Sequence, residues 1–429
     1  MNPLVTLILS FFVLVALRVN IGFSLILSSA LVILLEDLPL ISVVNQMYAG
    51  IDSFTLLAVP FFMLLGRILN AGSITERLLN VADATVGHVR GGLGHVNVFV
   101  SMVFASLSGS AAADTASVGS ILIPAMKKAG YPPAFAAALT AASSTLGVII
   151  PPSIILIVYG AFGNVSIGAL FVGGVVPGLL AGLFMMAYTY VLAVRYGYPA
   201  NPFPGVKKAA KVVWRGLPPL MIPVIVLGGI VGGFFTPTEG AIAAVLWALF
   251  LSLVVYRDIP LAALPRILAD GCIDFAIPMF TVAGAGIFGW LIAYLGASKI
   301  VVDFILGVTS NGYLIMLMLI GFLLLVGMVL NPISATLIFL PIIQALSETA
   351  GVHPVHMGVL STVILSVGLV TPPYGICLLI ASQIAGASLG RAMLAAAPIC
   401  LLTISVGILS LWFPNIILGL PKLLVPELF

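Results

Sequence analysis

Long apolar runs, broken at a few places by proline, glycine and small polar residues, set the pattern of this chain. Stretches of roughly 17 to 25 apolar residues recur from Pro3 to Pro414, which predicts about eleven or twelve helices, some of them interrupted. The first run, PLVTLILSFFVLVAL, has neither a basic flank nor a small-residue cleavage site, and a second follows at Ile21 to Leu35. Both are expected to be retained spans, with no separate soluble domain.

Where polar residues break the pattern, they cluster. The segment SGSAAADTASVGS, Ser108 to Ser120, follows HVNVFVSMVFAS and precedes the pair Lys127-Lys128. Each arm has about 16 residues or fewer, short for a full crossing. Backbone groups in hydrocarbon must be satisfied internally, so an irregular tip belongs inside protein or against a water-filled cavity. The pattern predicts a re-entrant helical hairpin over about 96–127. A second is expected over about 313–347, in VGMVLNPISATLIFLPII, where Asn331 is an N-cap and Pro332 a first helical residue within an apolar run.

The two hairpins belong to a larger echo. GVIIPPS at Gly147 to Ser153 and GLVTPPY at Gly368 to Tyr374 lie 221 positions apart, and the same spacing relates Gly130 to Gly351 and Pro177 to Pro398. A spacing of 217 relates Pro124 to Pro341 and Asp114 to Asn331, and 218 relates Pro60 to Pro278. Punctuation kept in one order indicates an internal duplication. The expected organisation is two halves, 1–215 and 216–429, each with a hairpin and a broken helix, at 147–153 and 368–374. Duplicated membrane halves with matching interruptions point to a secondary transporter with its site near the midplane.

Both hairpin tips aim helix N-termini at the protein centre, where positive dipole ends and free N–H groups favour an anion. Ser110, Asp114, Asn331 and Ser334 are the candidate substrate contacts at these tips. An acidic residue in the first turn of a helix also suits the dipole without any ligand, so Asp114 keeps two readings, structural and ion-binding. The Pro-Pro pairs end the preceding helices and free carbonyls around Gly147 to Pro151 and Gly368 to Pro372, oxygen cages suited to a small hard cation. Ser106, Ser108 and Ser110 could add hydroxyls to the first cage and Thr371 to the second. With few intramembrane carboxylates, sodium fits such cages better than a proton relay does.

Composition sharpens this picture. The 429 residues are 62% hydrophobic and 7% charged, with a mean hydropathy of +1.29, which excludes a water-soluble domain. The net charge is +3, but no acidic residue occurs between Asp114 and Glu239, and Arg195 to Arg215 holds five basic residues. That segment reads as a cytoplasmic loop and not as a nucleic-acid patch. Cys272, Cys377 and Cys400 have no CxxC spacing and read as buried small hydrophobes. The four histidines read as loop residues, HPVH at 353–356 included, and no Ser–His pair or HExxH motif suggests an enzyme. Arg67, Glu76 and Arg77, around NAGSIT, read as an interfacial connection.

Several stretches together, LLAVPFFMLLGRIL, GHVRGGLGHVNV, SGSAAADTASVGSILIPAMKKAGY, GVIIPPSIILIVYG, GGFFTPTEGAIAAV and GLVTPPYGICLL, carry a family resemblance. The chain resembles the large membrane (M) subunit of tripartite ATP-independent periplasmic (TRAP) transporters. The resemblance implies an all-α polytopic membrane fold of two inverted repeats, each with a re-entrant hairpin and a discontinuous helix, working as an elevator. It implies sodium-coupled import of a carboxylate, no cofactor beyond sodium, and residence in the bacterial inner membrane. Its implied partners are a small membrane subunit and a periplasmic substrate-binding protein, in a lipid bilayer. Its implied sodium ligands are Ser106 and Ser108 with Gly147, Ile150 and Pro152, and Gly327 with Gly368, Thr371 and Tyr374. In the family the position of Asn331 is often acidic, and here it is neutral. The alternative reading is an elevator carrier or antiporter for dicarboxylates that needs no binding protein.

Overall fold

The structure, a computed structural model, describes residues 2–428 and is all-helical among them. Three helices open the chain: Pro3–Ala16 (α1), Ile21–Leu35 (α2) and Ile41–Ile51 (α3). A series of seven follows: Ala58–Ala71 (α4), Ile74–Val86 (α5), Gly92–Ser108 (α6), Ala111–Lys128 (α7), Pro133–Ser144 (α8), Ile154–Gly163 (α9) and Ile167–Tyr196 (α10). Val206–Val231 (α11) and Pro237–Phe250 (α12) lead to a second seven in the same order. These are Leu264–Tyr294 (α13), Ala297–Val308 (α14), Gly312–Val329 (α15), Pro332–Thr349 (α16), Pro354–Val367 (α17), Ile376–Ala385 (α18) and Leu389–Trp412 (α19). Asn415–Leu424 (α20) closes the chain.

Eight helical stretches among the described residues are long and apolar enough to cross a membrane, and shorter apolar helices fill in around them. The outward surface is apolar, with Phe304, Leu325 and Leu401 all exposed, as expected where lipid replaces water. Inside, small residues let backbones approach, since lipid offers helices little hydrophobic incentive to associate. A Cβ on Gly286 of α13 would stand 3.0 Å from the Gly50 Cα of α3.

Helix ends follow the caps that the sequence supplies. Asn2, Asn20, Asn311 and Asn331 each accept a backbone N–H in the first turn of the helix they start. Thr236 and Glu239 form a reciprocal capping box at α12.

Some expectations are corrected. The basic segment is mostly helix: Arg195 lies in the last turn of α10, and Lys207, Lys208, Lys211 and Arg215 lie in α11, leaving 197–205 as the connection. Lys and Ala propagate a helix well, and the breaking residues are confined to Gly197–Gly205. Both hairpin arms are longer than supposed, α6 with 17 residues and α7 with 18. His95 and His356 are buried within α6 and α17, and Cys272 is exposed on α13.

The halves interlock. The hairpin helix α7 and the helix α8 pack against α18 of the second half, while α16 packs against α9 of the first. The Lys127 Nζ at the end of α7 donates to the Ala385 carbonyl at the end of α18, at 2.6 Å. A cation meeting an unsatisfied C-terminal carbonyl completes the helix end.

Candidate transport site

The first tip is a two-residue turn, Gly109 and Ser110. Gly109 takes the left-handed conformation (φ 63°) between α6 and α7, and the Pro152 carbonyl would lie 3.1 Å from a Cβ there. Only glycine turns the chain this tightly against a neighbouring backbone. Ser110 then caps α7 by accepting from the Ala113 N–H at 3.5 Å. The second tip also has two residues but turns differently, with Leu330 extended where Gly109 is left-handed, and Asn331 caps α16 through the Ile333 N–H at 2.9 Å. By place in its helix, Asn331 therefore matches Ser110. The spacing of 217 had paired it with Asp114, which lies a turn further on.

The two tips meet. Ser110, Ala111, Asn331, Pro332 and Tyr374 line one cavity of about 170 Å³. On one side it adjoins a larger cavity of about 780 Å³ between the α4, α5 and α13 group and the α7 face, which Ser108 and Ser110 also line. On the other side Asn331, Ser334 and Tyr374 border a third cavity of about 170 Å³. Three of the four candidate tip residues, Ser110, Asn331 and Ser334, thus line cavities.

Asp114 does not. It is fully buried, and its Oδ1 accepts from Ser108 Oγ at 2.5 Å while its Oδ2 has no hydrogen-bond partner among the described residues. That oxygen is aimed at the first helix break, since a Cβ on Gly147 would stand 2.8 Å from it. A lone carboxylate oxygen, buried against backbone, fits a cation as its missing partner. The Cys377 thiol of α18 lies beside Thr115 and Asp114, so the second half covers the first-half site.

Both breaks follow their Pro-Pro pairs, whose peptide bonds, Pro151-Pro152 and Pro372-Pro373, are cis. At the first, α8 tightens into a 3-10 turn over Thr145–Val148, and Ser153 donates to the Val148 carbonyl at 2.6 Å. At the second, Gly368 presses on Gly327: a Cβ would stand 2.0 Å from the Gly327 oxygen. The Tyr374 N–H donates to the Met328 carbonyl at 2.8 Å, and its hydroxyl accepts from Asn331 Nδ2 at 3.0 Å.

The structure thus brings Ser108 and Gly147 together around Asp114, and Gly327, Gly368 and Tyr374 together near Asn331. Pro152 lies at the first tip, against Gly109. Ile150 packs its side chain on Gly178 of α10. The hydroxyls of Ser106 and Thr371 donate back along their own chain, to Val103 at 2.6 Å and Val367 at 3.1 Å.

Sequence reasoning placed Arg67 in an interfacial connection and did not foresee its place at a cavity. It lines the large cavity and makes a bidentate contact with Asp274 of α13, where Asp270 lies 3.7 Å away. Its signal was present, because an arginine within the apolar run of α4 invites a functional reading. Nearby, Asn70 of α4 accepts from Ser117 Oγ of α7 at 2.6 Å, bridging the two walls. A buried polar seam, Asn97 to Thr140 at 2.6 Å and Ser101 to Ser143 at 2.9 Å, ties α6 to α8.

Comparison with known proteins agrees with this architecture. The chain is 37% identical to the sialic acid TRAP transporter large permease protein SiaM of Vibrio cholerae over 404 residues, 94% of this chain and 95% of that one. It is 37% identical to the C4-dicarboxylate TRAP transporter large permease protein DctM of Pseudomonas aeruginosa, covering 93% and 94%. In fold it is similar to the YdaH transporter of Alcanivorax borkumensis, with a TM-score of 0.65 over 86% of each chain at 13% identity. The profile of the DctM component of tripartite ATP-independent periplasmic transporters matches residues 8–416, and the chain belongs to that family.

Proposed function

We propose that the protein imports an organic acid with sodium, receiving it from a periplasmic binding protein and working beside a small membrane subunit in the bacterial inner membrane. The observation that carries the sodium assignment is the unpartnered Asp114 Oδ2 facing the Gly147 backbone, beside the tip that Ser108 and Ser110 build. Two helix N-termini converging on one cavity support a carboxylate as the solute. Sialic acid and C4-dicarboxylates, the solutes in the relatives' names, are of that class.

The interlocked hairpins and broken helices form the moving body of an elevator, and the α4, α5 and α13 group forms its scaffold. The large cavity lies on their seam. Two sodium ions entering with a monoanion carry one net charge, worth about 2.3 kcal/mol at roughly 100 mV. That is about fiftyfold accumulation before any sodium concentration gradient is counted.

The test is uptake of sialic acid and succinate into proteoliposomes holding this chain and its small subunit, with the cognate binding protein outside. Uptake is expected to need both sodium and the binding protein. Uptake that persists in choline rules out the coupling, and uptake without the binding protein favours a self-sufficient carrier.

A further inference from the structure

The donors and acceptors of the 780 Å³ cavity are unevenly placed. Donors gather at the hairpin tip, where the first N–H groups of α7 have no partner within the helix and Ser110 Oγ accepts from Ala113, keeping its own hydrogen. Along the rest of the wall the hydroxyl hydrogens are already used. Ser117 Oγ donates to Asn70 Oδ1 at 2.6 Å, Ser120 Oγ to the Ser117 carbonyl at 2.7 Å and Thr75 Oγ1 to the Leu69 carbonyl at 3.3 Å. What these groups offer a guest is lone pairs, with the Asn70 amide hydrogens beside them.

Charge points the same way. The charged residues lining the cavity are Arg67, Asp274 and Glu76, one cation against two anions. The cation is committed: Arg67 Nη2 and Nε both donate to Asp274, the former at 2.8 Å, and Asp270 lies 3.7 Å from Nη1. Glu76 has no ion pair among the described residues.

Taking the solute carboxylate to be held at the hairpin tips, as proposed above, we infer that this cavity selects a polyhydroxylated monocarboxylate, a sugar acid, and rejects a dicarboxylate. Hydroxyls on the solute supply the donors that the wall lacks. A second carboxylate supplies only acceptors, and it would sit beside Glu76 with no free cation to pair it. Length agrees with this choice. Ser110 and Ser117 are seven residues apart, about 10.5 Å along α7, which a chain of about six carbons spans with a hydrogen bond at each end. A C4 acid anchored at the tip stops short of Asn70 and Ser117.

Three six-carbon acids test this. Gluconate and glucarate share their carbon chain and secondary hydroxyls and differ in the terminal group, which is a second carboxylate in glucarate. Hexanoate keeps the chain and the single carboxylate but has no hydroxyl. Each is titrated against the full purified chain in sodium, without a binding protein, with the thermal midpoint as the readout. Gluconate is expected to half-saturate at a concentration at least tenfold below either of the others. Glu76→Gln should narrow the gap between gluconate and glucarate by about threefold or more, and its solute-free midpoint reports whether the variant is folded. Equal half-saturation by glucarate or by hexanoate, no stabilisation by any of the three, or an unchanged gap in Glu76→Gln overturns the inference. Repeating the gluconate titration in choline separates the two readings: binding indifferent to sodium refutes the proposed coupling, while the ratio of gluconate to glucarate still decides this one.

Discussion

Gly147→Ala tests the proposed cation site at Asp114 most directly. The new methyl would stand 2.8 Å from Asp114 Oδ2, whereas ordinary contact begins near 3.4 Å, so the carboxylate must retreat by about 0.6 Å. It has little freedom to do so, being fully buried and held by Ser108 at 2.5 Å through its other oxygen. Overpacking of this kind costs about 1–3 kcal/mol in any solvent. Hard cations hold oxygens within a narrow range, near 2.3–2.6 Å for calcium, so a shift of this size removes a ligand. A tenfold weaker site is the minimum expected, about 1.4 kcal/mol.

The assay is thermal unfolding in sodium against choline at matched ionic strength. At ten times Kd sodium should stabilise the wild type by about 1.4 kcal/mol, and at the same concentration a tenfold weaker variant keeps about 0.4 kcal/mol. The sodium increment should therefore fall to about a third. Gly228→Ala serves as control, because a Cβ there meets nothing within 4 Å. If Gly147→Ala lowers stability equally in both salts and keeps the full increment, Asp114 and Gly147 are merely packed together and the cation assignment is wrong.

Three more outcomes follow from the geometry. Gly368→Ala sets a Cβ 2.0 Å from the Gly327 carbonyl oxygen, backbone against side chain with no rotamer to relieve it, and should abolish a monodisperse peak in size-exclusion chromatography; a well-folded variant would contradict the close crossing. Asn331→Asp keeps the cap of α16, since the two residues cap about equally well, but adds a negative charge at the shared cavity. It should leave thermal stability within about 0.5 kcal/mol and raise the KM for a carboxylate, and an unchanged KM removes Asn331 from the solute path. Ser117→Ala breaks the bridge to Asn70, worth about 1 kcal/mol, and, if the chain works as the proposed elevator, should lower the ratio of this conformation to the other about fivefold. Maleimide labelling of Ala113→Cys in a Cys272→Ser background reads that ratio, and an unchanged rate means that the bridge does not hold the two walls.

The local signals in the sequence proved legible where chemistry is local. Asn331-Pro332 announced a helix start inside an apolar run, and the Gly-x-x-x-Pro-Pro pairs announced helix breaks, because capping and proline act within one turn. What escaped depends on distant partners. Arg67 and Asp274 are 207 positions apart, so an arginine in an apolar run was visible in the sequence but its carboxylate partner was not. The buried places of His95 and His356 come from packing that glycine-rich and proline-rich flanks concealed. The pairing of Asp114 with Asn331 rested on the spacing of 217 between prolines inside α7 and α16, whereas those helices start 221 positions apart, the spacing of the Gly-x-x-x-Pro-Pro pairs, which aligns Ser110 with Asn331 instead.

The Lys127 to Ala385 hydrogen bond sets a schedule for synthesis. Its partners are 258 residues apart, and at roughly 5–20 residues per second the lysine is added to the chain about 13 to 50 s before Ala385. Over the same interval the first hairpin lacks α18, and with it the Cys377 side of the cover over Asp114. The first half therefore waits with the Asp114 carboxylate not yet covered from that side and the Lys127 ammonium without its carbonyl partner. Maturation of the first half is thus paced by translation of the second.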